Sequence, residues 1–118
     1  MKPINVVELV GNPCLLAPDK GTSLLQSIND GLKKTNSVVV DFTGYEFLSS
    51  TFLNHSFGQL CIDNDWDETT FKAKVLIKGL EEDDLDDVAL TIHNAQVRRS
   101  LIRKNISPAD YYSQRLPA

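Results

Sequence analysis

Apolar positions along this chain fall into blocks whose period changes from one block to the next. Residues 4–10 (INVVELV) form an aliphatic, β-branched run closed by Gly11-Asn12-Pro13, which predicts a first strand ending in a turn. Cys14-Leu15-Leu16 fits a short return strand, and residues 17–21 a loop. Thr22 or Ser23 can then cap a helix in which Leu24, Leu25, Ile28 and Leu32 recur three or four apart. Lys33 and Lys34 suit the C-terminal end of its dipole, and Asn36 ends it. Residues 37–42 read as a second strand, apolar on both faces as in a sheet covered by helices on each side. Gly44 turns the chain, and Phe52, Leu53, Phe57, Leu60 and Cys61 make the stripe of a second helix, in which Gly58 predicts a close approach to the sheet. Residues 63–70 are polar, residues 69–72 begin an extended approach, and residues 73–78 (AKVLIK) predict a third strong strand stopped by Gly79. A third helix spans about residues 83–103, with Leu85, Val88, Ala89, Ile92, Ala95 and Ile102 on its buried face.

This order predicts a small layered α/β domain over residues 1–106, followed by a tail at 107–118. The expected sheet is mixed, of about four strands, with the second and third long strands central and helices packed on it. A chain of 118 residues is one domain. At this size it buries somewhat under ~70% of its unfolded surface, enough for a core without staples.

Composition narrows the class. Hydrophobic residues make up 42% and charged residues 24%, ordinary values for a globular protein in water. A formal net charge of −4 argues against nucleic acid as a partner. The charge is polarised: residues 81–87 (EEDDLDD) are acidic, whereas Arg98, Arg99, Arg103 and Lys104 are basic. Placed at opposite ends of the third helix, the two groups match its dipole without any partner. Cys14 and Cys61 lack paired spacing, and Cys61 lies on an apolar stripe, so it reads as a small buried hydrophobe. Met1-Lys2-Pro3 runs straight into a strand pattern without a signal peptide, and no apolar run spans a bilayer. A reducing cytoplasmic setting follows from the cysteine usage.

Candidate chemistry is sparse. His55 and His93 both lie in helix patterns with no nucleophile beside them. There is no glycine-rich phosphate loop, no nucleophile elbow and no His/Cys pair at zinc spacing, so a non-enzymatic chain without cofactor or metal is expected. Asp63, Asp65 and Asp67 alternate as in a calcium loop, but Glu68 stands where that loop needs Gly and Lys74 where it needs Glu.

One cluster stands apart: Ser49, Ser50 and Thr51, set after the strand end Asp41-Phe42-Thr43-Gly44 and where the second helix begins. The simple reading is a helix cap, worth about 1 kcal/mol. The functional reading is a phosphorylation site, where about two added negative charges would meet the positive end of a helix and disturb only a docked partner. The same amide-lined helix start can instead hold a small anion or nucleotide, with Lys20 as a basic neighbour. A third reading is an oligomer, with Tyr111-Tyr112 of the tail docking on a neighbouring copy.

The segment from Val40 to Leu53 (VDFTGYEFLSSTFL) resembles the central motif of STAS domains, the anti-sigma factor antagonist and sulfate-transporter-tail domains. It is most similar to a small bacterial STAS-like family in which a strand ending in Asp-Phe precedes a Phe-rich helix with a Phe-Gly pair, here Asp41-Phe42 and Phe57-Gly58. The resemblance is good over residues 37–60, extends over 4–80 and is absent from the tail. In the antagonist proteins the motif is Asp-Ser-Ser/Thr-Gly, and a partner kinase phosphorylates the first Ser. Carried across, that Ser falls on Ser50 with Thr51 beside it, while Ser49 stands in place of the Asp and Phe52 in place of the Gly. The resemblance implies a regulatory partner-switching module, a histidine-kinase-type ATPase as partner, and a docking surface spanning Asp41, Gly44, Ser49, Ser50 and Thr51.

Overall fold

The computed structural model describes residues 3–11 and 18–104. Three strands, β1 (Ile4–Asn5), β2 (Val38–Asp41) and β3 (Val75–Lys78), form one sheet in the order β1-β2-β3. Both pairings are parallel, with Ile4 opposite Val40 and Val38 opposite Val75. Among the described residues the expected mixed sheet of about four strands is a parallel sheet of three, with β2 in the centre.

The first strand is shorter than its apolar run because Asn5 ends it. Asn5 Oδ1 accepts the Glu8 amide at 3.0 Å and starts helix α1 (Val6–Val10), which buries Val6 and Val10 one turn apart. A local cap outweighs the strand preference of the valines. The expected return strand at Cys14–Leu16 lies outside the described residues. Helix α2 (Pro18–Lys34) begins with proline at its first position, earlier than Thr22 or Ser23, and ends two residues before Asn36. It buries Leu24 and Ile28 fully.

After β2 the chain forms a continuous helical stretch over residues 50–64. It comprises α3 (Ser50–Leu53), a π-helical segment (Asn54–Gly58) and α4 (Gln59–Asn64). This stretch is squeezed from two sides. A Cβ on Gly21 of α2 would stand 2.6 Å from the Phe52 carbonyl oxygen, so the two backbones nearly touch there. On the other side Gly58 meets Thr91 of the long helix α6 (Glu82–Lys104), where a Cβ would sit 3.3 Å from the Thr91 methyl. The close approach expected of Gly58 is thus made to α6 and not to the sheet. Ser56, wholly buried in the π-segment, donates its hydroxyl to the Phe52 carbonyl at 2.8 Å. That bond satisfies a polar group no water reaches.

Helix α5 (Glu68–Lys74) occupies sequence read as an extended approach. Asp67 caps it by accepting the Thr70 amide at 2.8 Å, and Glu68 pairs with Lys72 one turn on at 3.0 Å. Helix α6 carries Val88, Ile92, Ala95 and Leu101 inward, but Leu85, expected on that face, is 42% exposed. Its basic end does more than match a dipole. Arg99 donates to the Ile62 carbonyl and forms a close ion pair with Asp65 at 2.6 Å, tying α6 to the end of α4. Asp65 itself adopts the left-handed conformation that terminates α4, with φ of 57°.

The helix-facing side of the sheet buries Val38, Val40 and Val75. The other side presents Val39, Asp41, Leu76 and Lys78, none of them buried, so among the described residues the sheet is covered on one face only. The expectation of a strand covered on both faces fails for that reason. Aromatic contacts lock the covered side: Phe57 stacks edge-on against Phe42 at 6.1 Å and against Phe71 at 5.2 Å. Cys61 packs beside them, and burial pushes its thiol up to about 12, as suits an inert core residue. Replacing Phe57 by Ala removes the ring that joins β2, α5 and the central helix. The expected loss is about 3–5 kcal/mol, read from the shift in urea unfolding midpoint at unchanged slope.

Candidate functional site

The end of β2 is shaped by one carboxylate. Asp41 accepts the Thr43 amide at 2.9 Å and the Thr43 hydroxyl at 2.6 Å, closing a turn on its own backbone. These two bonds, the hydroxyl first, hold the Asp41 carboxyl below its ordinary value. The Tyr45 amide then returns to the Phe42 carbonyl at 3.0 Å, and Gly44 supplies the positive φ of 88° that this turn requires. Asp41 and Gly44 therefore build the loop that presents the hydroxyl cluster.

The loop is clamped from the far side. Gly79, with φ of 81°, lies so close that a Cβ there would fall 2.5 Å from the Thr43 nitrogen. Tyr45 packs on Phe42, ring centres 6.3 Å apart, and its hydroxyl donates to the Asp84 carboxylate in the first turn of α6. That bond to a carboxylate raises the Tyr45 hydroxyl above its ordinary value. Neither Tyr45 nor Asp84 stands out in the sequence. They stand 39 positions apart, with no period by which to pair them, and only the juxtaposition of the β2 and β3 turns does so.

Within the cluster the three hydroxyls divide. Ser49 is the cap of α3: its Oγ accepts the Phe52 amide at 3.0 Å and its carbonyl accepts the Leu53 amide at 3.1 Å. Ser50 and Thr51 occupy the first positions of the helix and are exposed, while Phe52 is wholly inside the core. The cluster of three hydroxyls at the helix start is thus a cap and two outward hydroxyls. Phe47, just before them, is 55% exposed, a large apolar side chain on an otherwise polar loop. His55, one turn on, is exposed and shares a hydrogen bond between its Nδ1 and the Thr51 carbonyl at 2.9 Å. His93 is exposed on α6. Among the described residues no group of three or more His, Cys, Asp or Glu converges as a metal site would, and no helix is long and apolar enough to cross a membrane.

Two outcomes test this construction. Gly44→Ala meets backbone strain only, because nothing lies near the added methyl, and costs about 1–2 kcal/mol in urea unfolding. Gly79→Ala adds the collision with Thr43 and costs more than Gly44→Ala. Asp41 has a folded value below its unfolded one, so the stability it contributes is present above 3.8 and drains away as pH falls further. Asp41→Asn therefore lowers the unfolding midpoint at neutral pH, and the gap to wild type narrows in acid.

A family model described as a STAS-like domain of unknown function matches residues 20–85. No curated protein and no solved structure matches this chain. The matched span runs from the start of α2 through the Asp41–Thr51 loop to the first turn of α6, more than half of the chain. On that span the chain belongs to the family of STAS-like domains.

Proposed function

We propose that this domain is a non-enzymatic regulatory module whose protein partner docks over the start of α3, and that phosphorylation of Ser50 switches the docking. The observation that carries the reading is the division of labour between adjacent serines. Ser49 holds the helix end together, and Ser50 is exposed beside it. A phosphate on Ser50 leaves the cap bond untouched. Two negative charges at a helix start stabilise the domain by about 0.3–1 kcal/mol rather than disturbing it. A partner seated on the same spot would have to desolvate those charges, which is far costlier. The modification therefore acts on the complex and not on the fold.

The departures from the antagonist motif fit the same geometry. Ser49, in the place of the motif Asp, keeps the capping role that either residue can fill, without the charge. Phe52, in the place of the motif Gly, points into the core and does not crowd the surface. Exposed Phe47 supplies an apolar anchor beside the switch, the kind of residue that dominates interface energetics. The partner implied by family resemblance is a histidine-kinase-type ATPase. A small anionic ligand at the same helix start has less support, because Ser49 already takes the amides of Phe52 and Leu53.

The test uses wild type, Ser50→Ala and Ser50→Asp with the ATPase of this type encoded nearest the gene. Wild type is expected to gain one phosphate by intact mass, and Ser50→Ala none. Ser50→Asp is expected to bind the ATPase at least several-fold more weakly than Ser50→Ala, with its melting temperature unchanged or slightly raised. Equal binding and equal labelling for all three chains would remove the switch.

A further inference from the structure

The outer edge of β3 is a second surface with a chemistry of its own. The Lys78 carbonyl accepts the Phe42 amide at 2.8 Å, so the polar groups of Lys78 face β2. Strand backbones alternate, and the N–H and C=O of Ile77 therefore face outward, while the Val75 N–H already donates to the Phe71 carbonyl at the end of α5. Among the described residues no strand pairs on that side. Soluble proteins ordinarily protect such an edge, because it is a template for another chain. Here it runs instead along an apolar groove of about 520 Å³ between β3, α5 and α6, lined by Phe71, Val75, Leu76, Leu85, Ala89 and Ile92. Leu76, at 49% exposure, and Leu85 are among the large apolar side chains the molecule leaves most open to water.

Charge indicates what fits there. Before β3 stand Lys72 and Lys74; after it stand Glu81, Glu82 and Asp83. Lys78, near the acidic end, sits opposite Asp41 in the sheet register. The edge therefore runs from positive to negative along the strand. A segment laid parallel with the same polarity would set like charges together, whereas an antiparallel copy sets each basic end beside an acidic one. A two-fold axis makes every such contact twice, which is the signature of an isologous interface.

We propose that two copies of this chain associate through the outer edges of β3, antiparallel about a two-fold axis at Ile77, joining two three-stranded sheets into one of six strands. Outward N–H and C=O groups of Ile77 pair across the axis, Leu76 and Leu85 are covered at the join, and Lys72 of one copy approaches Glu82 of the other. The exposed Lys72–Glu68 pair is a weak competitor for that contact. A four-residue strand and a short groove make a small interface, so the dimer is concentration-dependent and not obligate.

Sedimentation equilibrium on the full chain, from the low micromolar to the millimolar range, reads the outcome. The expected mass rises toward twice that of one chain. Ile77→Pro removes an outward donor and no bond to β2, so it stays folded by circular dichroism and remains monomeric. Leu76→Lys, at an exposed position, does the same should the proline perturb the strand. Lys72→Glu weakens the dimer several-fold, and Lys72→Glu combined with Glu82→Lys restores it. Ser50→Asp leaves the association unchanged, which separates this surface from the switch. Monomer at every concentration overturns the proposal. So does a dimer indifferent to Ile77→Pro, Leu76→Lys and the charge exchange, or a monomer whose edge takes up an unrelated extended peptide instead.

Discussion

The helical stretch over residues 50–64 is pressed between α2 and α6 and laid on the sheet at once, and the rest of the molecule is arranged around that constraint. Gly21 and Thr91 mark the two lateral contacts, and Phe57 the contact beneath. Close-packed interiors transmit small changes in volume, so a helix confined on three sides has one allowed position. The placement of its first residues is inherited from this confinement. Ser50 and Thr51 face solvent because Phe52, Leu53, Ser56 and Phe57 have used every inward direction.

The loop that leads into this helix is equally determined, but by polar bonds. Asp41 organises Thr43, Gly44 turns the chain, and Tyr45 reaches the start of α6. Gly79 closes the same region from the β3 side. Two turns at the C-terminal ends of adjacent parallel strands thus form one rigid platform, and the exposed Phe47 stands on its rim. In parallel sheets this end of the strands is where ligands and partners are commonly received, since the helix starts gather there. The exposed side of this platform is uncharged at Ser50 and Thr51.

Much of this could be read from the sequence, and the rest could not, for physical reasons. The strand at Val38–Asp41 and the stripe from Phe52 to Cys61 follow from the apolar pattern that each buries, and the long final helix is legible only in its inward Val88, Ile92 and Ala95. The cap at Ser49 and the exposure of Ser50 agree with the hydroxyls at the helix start. The errors fall where a local polar bond competes with an apolar run. Asn5 converts most of a valine-rich segment to helix, and Asp67 starts a helix in sequence that reads as a loop. Leu85 departs from the expected face because helical spacing gives a face but not what lies against it, and it stands half-exposed in the open groove beside β3. Contacts between turns, such as Tyr45 with Asp84, leave no trace in any period.

The π-segment carries one residue more than a regular helix would need to cover the same rise. Each residue of an α-helix advances the azimuth by about 100°, so the surplus position sets the angle between the inward Phe57 and the residues one and two turns before it. Were that extra unit lost and the segment wound regularly, the same ring contacts would turn Ser50 and Thr51 about the axis by about 100°. The irregularity is therefore the phase setting of the outward hydroxyls, and lineages that gain or lose one residue between Leu53 and Gln59 would carry an equivalent cluster that points elsewhere.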